Sequence, residues 1–293
     1  VEFRPFNYGE DLQEVLALFG TGLSKTGDRS WFDWKHRDNP FGPSPGFLAE
    51  MDGKIVAARF FLRWRFRNLA GTIDAIRPVD TVVHPSARRQ GVFSRLTRYG
   101  LEQLATPGLP PVYNTPNSNS LPGYLKMGWE VYGEPLPYAY RLCPPFGNFP
   151  QATVGSHYPT EVSPEVTVTD RYRTDLSADF LRWRYAGPVY RFATSTASRS
   201  ALLVYRMLSV RGLRVLSVSD YAGPAALQEG LTRAAARREN CYLVHTLADL
   251  PEWPVGNGGL RKKKGSSLVA VRDAETLTAT GLIFSPGDLE DVL

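Results

Sequence analysis

The 293-residue chain is short of the groups that build metal centres and disulfides: it has two cysteines, three methionines and four histidines. Cys143 and Cys241 are too few for a disulfide framework. Neither lies in a CxxC or a Cys/His cluster of zinc-site spacing, so both read as structural and no metal is expected. Also missing are an apolar run long enough to span a membrane and a signal-peptide pattern at the start, so the default expectation is a cytoplasmic protein with no membrane partner. A strong excess of one charge is lacking too: 34 Lys and Arg stand against 29 Asp and Glu, a formal +5. That balance permits an anionic partner without demanding one. The densest basic run, Arg261-Lys262-Lys263-Lys264, has none of the interleaved aromatics that single-stranded nucleic acid requires, so nucleic acid is not expected.

What is present is an ordinary globular composition, 43% hydrophobic and 22% charged, at a length that suits two domains or one large one. The informative stretch is Asp80 to Leu104. Thr81, Val82 and Val83 form a β-branched run, Pro85 ends it, and Val92, Leu96, Tyr99 and Leu104 recur at helical spacing, which predicts strand, loop, helix. Arg88, Arg89, Gln90 and Gly91 fall where the chain enters the helix. Unpaired backbone N–H groups, the positive helix end and two guanidinium groups would converge there, a combination that suits a pyrophosphate.

Upstream, Glu2-Phe3-Arg4-Pro5 predicts a short strand, Asp11 the N-cap of a helix through Phe19, and Ser30 the cap of a helix to Arg37. Phe47 to Met51 and Ile55 to Trp64 read as strands joined at Asp52-Gly53, a strong hairpin signal, with a further strand from Thr72 to Val83. Downstream, Pro107 to Pro111 predicts a turn and Val112-Tyr113-Asn114 a buried strand.

Arg88-Arg89-Gln90-Gly91-Val92-Phe93 resembles the acyl-CoA pyrophosphate loop of the GNAT N-acetyltransferases, [RQ]-x-x-G-x-[GA], with Phe93 in place of the small last residue. The segment from Asn117 to Trp129 resembles a second GNAT signature, N-x-x-[SA]-x-x-x-Y-x-K-x-G-[FW], matched at Asn117, Ser120, Tyr124, Lys126, Gly128 and Trp129. The resemblance covers roughly residues 1–142. After a Pro-, Gly-, Ser- and Thr-rich stretch, the order of elements repeats. Phe180 to Tyr185 echoes Trp31 to His36, Ala201 to Arg206 and Leu213 to Ser219 supply a hairpin, Ala225 to Arg238 a helix, and Tyr242 to Thr246 a strand. Gly259 to Gly265 is expected to parallel Gly123 to Gly128. The second phosphate position, Ser219 to Pro224, lacks Arg and Gln, and Asp220 would repel a pyrophosphate.

The expected fold is therefore α/β (α+β): two GNAT-like domains, each a mixed, mostly antiparallel sheet flanked by helices. Residues 1–142 would form the acyl-CoA-binding domain, 143–164 a linker and 165–293 a degenerate GNAT-like domain. The resemblance implies an N-acetyltransferase that uses acetyl-CoA as cosubstrate and a small-molecule or peptide amine as acceptor, attacked directly in a ternary complex. Backbone groups of Val82 and Val83 would hold pantetheine, N–H groups from Arg89 through Gln90, Gly91 and Val92 to Phe93 the pyrophosphate, Arg88 or Arg89 would add charge, and Asn117 and Ser120 would contact the pantetheine arm. Tyr124 is the expected general acid. Asp80 is the expected base, with Glu50, His84 and the terminal carboxylate of Leu293 as alternatives. A noncatalytic acyl-CoA-binding module and a tandem acyltransferase similar to mycothiol synthase stay open as other readings. The sequence leaves the oligomeric state open as well.

Overall fold

The computed structural model describes residues 1–22, 28–105, 110–143, 151–166, 168–197, 199–247 and 260–289. They divide into two compact units. One holds Val1–Phe66, Ile73–Gly133 and Val269–Ala279, the other Arg67–Thr72, Glu134–Leu268 and Thr280–Leu293.

The first unit runs β1 (Glu2–Pro5), α1 (Leu12–Gly22), α2 (Arg29–Phe32), β2 (Gly46–Met51), β3 (Lys54–Asn68), β4 (Gly71–Val83), α3 (Val92–Leu104), β5 (Val112–Asn114), α4 (Leu121–Lys126) and β6 (Glu130–Val131). The β2–β3 hairpin turns at Asp52-Gly53 with φ of 52° and 72°, the left-handed pair that matches strand twist in a two-residue turn. The core is built from Phe47, Ala57, Phe61, Leu96 and Tyr124 on one side of the sheet and from Phe19, Phe32, Leu48 and Phe60 on the other. β3 is buried without a break from Ile55 to Leu62 because both faces are covered there.

Two local expectations are corrected. Asp28, not Ser30, caps the second helix, its carboxylate accepting from the Trp31 N–H at 2.7 Å while the Ser30 hydroxyl donates to the same carboxylate at 2.8 Å. The helix is also not one regular α-helix to Arg37: after Phe32 it widens to a π-helix over Asp33–Arg37. The wider turn lets the consecutive residues Lys35 and His36 both be buried, which 3.6-residue periodicity would not allow on a narrow face.

The second unit contains β7 (Leu136–Leu142), β8 (Ala152–Gly155), β9 (Tyr172–Thr174), α5 (Ala178–Arg184), β10 (Tyr190–Ser195), β11 (Leu202–Val210), β12 (Leu213–Ala222), α6 (Ala225–Arg238), β13 (Leu243–Leu247) and β14 (Leu260–Ser267). Its seven-stranded sheet has the order β14-β7-β13-β12-β11-β10-β8, antiparallel except for the β12–β13 pair. Cys143 and Cys241 are free and buried in its core. The expected parallel between Gly259–Gly265 and Gly123–Gly128 does not hold. Leu260–Ser267 is a strand paired with β7, whereas Gly123–Gly128 closes a helix; β-pairing wins over the shared glycine spacing. Gly259 and residues 107–109 of the expected turn lie outside the described residues.

The expected boundaries at 142 and 165 also differ from the observed division. β7 sits in the second sheet, and β8, inside the expected linker, pairs with β10. More consequentially, β15 (Ala270–Arg272) and most of α7 (Glu275–Thr280) return to the first unit, where β15 pairs antiparallel with β5 on one side and β6 on the other. The chain then ends its described part in the second unit with β16 (Leu282–Ile283), paired with β9, and α8 (Pro286–Leu289).

A strand paired on both edges cannot lose a backbone donor cheaply. Val271→Pro is expected to destabilise the first unit by on the order of 2–4 kcal/mol, measured by chemical denaturation. A midpoint equal to that of the unaltered protein would show that β15 contributes nothing to that sheet.

Candidate active site

The site starts from a break in the sheet of the first unit. β4 and β5 run parallel and pair only at Ile76↔Val112, after which β4 continues to Val83 and β5 to Asn114 without a shared ladder. Near this fork the Arg77 guanidinium donates to the Thr115 hydroxyl at 2.6 Å. Beyond the fork the facing backbone groups lack strand partners, a condition that a folded chain tolerates where water or a ligand takes them.

At the end of β4 the chain turns through a short 3₁₀ segment, Pro85–Ala87, into α3. Gly91 is the N-cap with φ 72°, and Arg89 also has a left-handed φ of 63°. The consequence is a nest. No backbone N–H from Arg89 to Ser94 finds an acceptor among the described residues, and the first amide to do so, that of Arg95, donates to the Gly91 carbonyl at 3.1 Å. Six consecutive amides without acceptors at a helix N-terminus are a donor arrangement that an anion can take. Arg89 is exposed and has no side-chain partner among the described residues, while Arg88 directs its Nε to the Val83 carbonyl at 3.1 Å. That contact occupies one of the Val83 groups expected to face pantetheine, and the terminal nitrogens of Arg88 keep further donors. Gln90 is tied by its side-chain amide to the Ser86 carbonyl.

Tyr124 stands on α4, buried at 3% exposure, its ring against Trp129 at 4.7 Å and edge-on to Phe93 at 5.8 Å. Its hydroxyl accepts a hydrogen bond from Nη2 of Arg59 at 2.7 Å. Arg59 comes from β3 and is wholly buried. Its Nη1 donates to the Thr81 hydroxyl at 2.6 Å, and the guanidinium lies 5.0 to 5.5 Å from the Phe93, Phe61 and Tyr124 rings. Sequence reading missed this residue. The available signal was a lone cation inside the apolar run Ile55–Leu62. Phe93, the departure from the loop pattern, has its ring 3.3 Å from where a Cβ on Gly123 would stand, so the bulky ring and the missing side chain fit each other.

Asp80 is not a free carboxylate. Lys35 Nζ lies 2.5 Å and His36 Nε2 3.2 Å from its Oδ2. Burial alone would raise its pKa, but the Lys35 charge and the His36 and Lys35 contacts outweigh this and hold it well below the usual carboxylate range. Burial likewise holds the His36 imidazole below its ordinary value, against the pull of Asp80. Asp80 has φ 46° within β4. A left-handed residue inside a strand bends it, and the paired carboxylate fixes that bend one residue before Thr81. This environment suits a structural anchor better than a proton acceptor. Of the alternatives, Glu50 is paired with Arg4 at 2.6 Å, His84 contacts the Ser86 hydroxyl at 2.7 Å, and Leu293 lies outside the described residues. Asn117 uses its Oδ1 to accept from the amides of Asn119 and Ser120, both at 3.0 Å, which shapes the entry to α4 and leaves its side-chain NH₂ as the free donor. An open cavity of about 460 Å³ beside β6 carries Glu130, Asp273 and Glu275 but no residue of the nest.

The corresponding turn of the second unit is built differently. β12 and β13 also stop pairing, after Ser217↔His245, yet α6 is capped by Pro224, which has no N–H to offer. A Cβ on Gly223 would stand 2.7 Å from the Ala201 Cα, so the turn is packed shut. Asp220 is buried and hydrogen-bonded by the Tyr185 hydroxyl, and its carboxyl is pushed up by burial and by the neighbouring Asp288.

Residues 2–132 match the family model of the acetyltransferase (GNAT) domain. No curated protein matches the chain by sequence. Among solved structures it is similar to Eis1 from Mycobacterium abscessus, with TM-score 0.67 and 12% identity over 96% of this chain and 76% of that one. It is also similar to a GCN5-related N-acetyltransferase from Anabaena variabilis, at 0.65 and 10% over 95% and 74%, and to one from Kribbella flavida, at 0.61 and 14% over 95% and 72%. At such identities the likeness is one of fold.

The buried His36 gives a pH signature. Folded, it binds a proton less readily than in the unfolded chain, where uptake begins as pH falls through about 6.5. The folded state therefore loses stability on acidification, by at most about 1.4 kcal/mol per pH unit from this group. The depressed Asp80 carboxyl acts in the same direction below about pH 4, where the unfolded carboxylate protonates first. Denaturation midpoints followed from pH 7 to 5 are expected to fall less steeply in His36→Gln than in the unaltered protein. Equal slopes would remove His36 as the source.

Proposed function

We propose that this chain, whose residues 2–132 match the acetyltransferase (GNAT) domain model, transfers an acetyl group from acetyl-CoA to a primary amine of a small molecule or peptide, with the second unit as a degenerate GNAT-like domain. The observation that carries the proposal is the run of amides from Arg89 to Ser94 without acceptors at the start of α3. These amides would take the pyrophosphate, with Arg88 and Arg89 adding charge. Backbone groups of Val82 and Val83 beside the fork would hold pantetheine, together with the Asn117 amide and Ser120.

In this reading the acceptor nitrogen attacks the thioester carbonyl, the carbon–sulfur bond breaks, and the departing sulfur takes a proton from Tyr124. The phenol is suited to this because its oxygen already accepts from Arg59, so its own proton points elsewhere. The nitrogen proton is lost to solvent, which also restores the phenol. Asp80 keeps β4 bent beside the reacting carbonyl, and its pairing with Lys35 argues for that service over proton abstraction. The second unit binds no CoA, for want of an amide nest.

Incubation with acetyl-CoA and a panel of polyamines, aminoglycosides and lysine peptides, followed by thiol release, tests the reaction. Turnover of none of them, with acetyl-CoA still bound, would favour a binding module over an enzyme. Tyr124→Phe is expected to lower kcat by about a hundredfold with little change in acetyl-CoA affinity. Gly91→Val forces a β-branched residue into the left-handed region. It is expected to weaken acetyl-CoA binding at least roughly tenfold by calorimetry, against one site per chain in the unaltered protein. A stoichiometry of two would overturn the assignment of the second unit.

A further inference from the structure

Arg59 is fully buried, yet among the described residues no carboxylate lies within ion-pair distance of it, and its Nε has no acceptor. Lys35, buried in the same unit, has Asp80. An isolated buried charge is costly and is normally paired, so a cation left among three aromatic rings and two hydroxyls calls for a reason. The geometry supplies one. A guanidinium only donates, so at Tyr124 the phenol oxygen must accept, and that hydroxyl has no acceptor of its own among the described residues. The other arm of the same planar group grips Thr81, next to the left-handed Asp80. One rigid fork thus ties the bend of β4 to the hydroxyl on α4. A resident carboxylate would neutralise the cation before the phenol oxygen becomes charged. Its absence leaves Arg59 free to face that charge when it forms.

We propose that Arg59 is the positioning residue for proton donation by Tyr124: it sets the phenol oxygen against β4, turns the phenol proton away from the core, and balances the phenolate left when the proton passes to the leaving sulfur. The inference rests on Tyr124 being the proton donor.

The test compares R59M, R59K, Y124F and the double variant R59M/Y124F, using acetyl-CoA with the best amine of the acceptor panel. Replacing a buried charge by an apolar side chain of similar length is often tolerated by the fold; melting curves and calorimetric acetyl-CoA affinity check this, and R59K carries the test should R59M not fold. R59M is expected to lose about 30- to 300-fold in kcat with a change in KM for acetyl-CoA below about threefold. R59K, a charge without the fork, should fall between R59M and the unaltered protein. In the double variant the loss should be no greater than in Y124F, because both changes remove one function. With p-nitrophenyl acetate as acyl donor, whose leaving group needs no proton, R59M should work as fast as the unaltered protein. Multiplying losses in the double variant, an equal loss with p-nitrophenyl acetate, or full kcat in R59M or R59K while Y124F is slow would each overturn the role of Arg59 and leave Tyr124 in place. Full kcat in Y124F would remove the proton donor itself, and this inference with it.

Discussion

The parting of β4 from β5 after a single residue pair is the constraint on which the site depends. Backbone amides and carbonyls that leave a ladder must be met by something, and here the chain meets only some of them. Arg77 reaches Thr115 near the fork, Arg88 takes the Val83 carbonyl, and the His84 amide donates to Val56. The amides that open α3, from Arg89 to Ser94, have no acceptor among the described residues. The fold has in effect kept one stretch of backbone out of its own hydrogen-bond network, and that stretch is where the positive helix end and two arginines lie.

Around that opening the chain places charge with unusual economy. Lys35, His36 and Asp80 form a closed group that holds a left-handed residue inside a strand, whereas Arg59 is kept open. The contrast supports reading the acidic residue near the end of β4 as an anchor rather than a reagent. It also accounts for the aromatic wall of Phe61, Phe93 and Tyr124, whose faces attract a guanidinium without cancelling its charge.

How much of this was legible in the sequence depends on whether the signal is local. The turn at Asp52-Gly53, the strand–loop–helix around Gly91 and the end of α4 at Gly128 are written in a few adjacent residues, and the backbone follows them. The π-helical turn that buries Lys35 beside His36 is not, because nothing in Asp33 to Arg37 distinguishes it from an α-helix until Asp80 is in place. Arg59 was hidden for the same reason. Its partners Thr81 and Tyr124 are 22 and 65 residues away, and only pairing across the sheet brings them together. The apparent repeat at Gly259 misled because glycine spacing carries no pairing information, while β7 supplied a partner that made the segment a strand. The basic run within it belongs to that strand rather than to a loop.

The return of residues 269–279 to the first unit bears on how the protein is made. On the ribosome β5 and β6 emerge with no neighbour between them, and β15 follows only after the bulk of the second unit has been synthesised. At about 5–20 residues per second the interval is roughly 7 to 27 seconds. The nascent first unit thus carries two unpaired strand edges throughout that interval, in need of shelter from other chains.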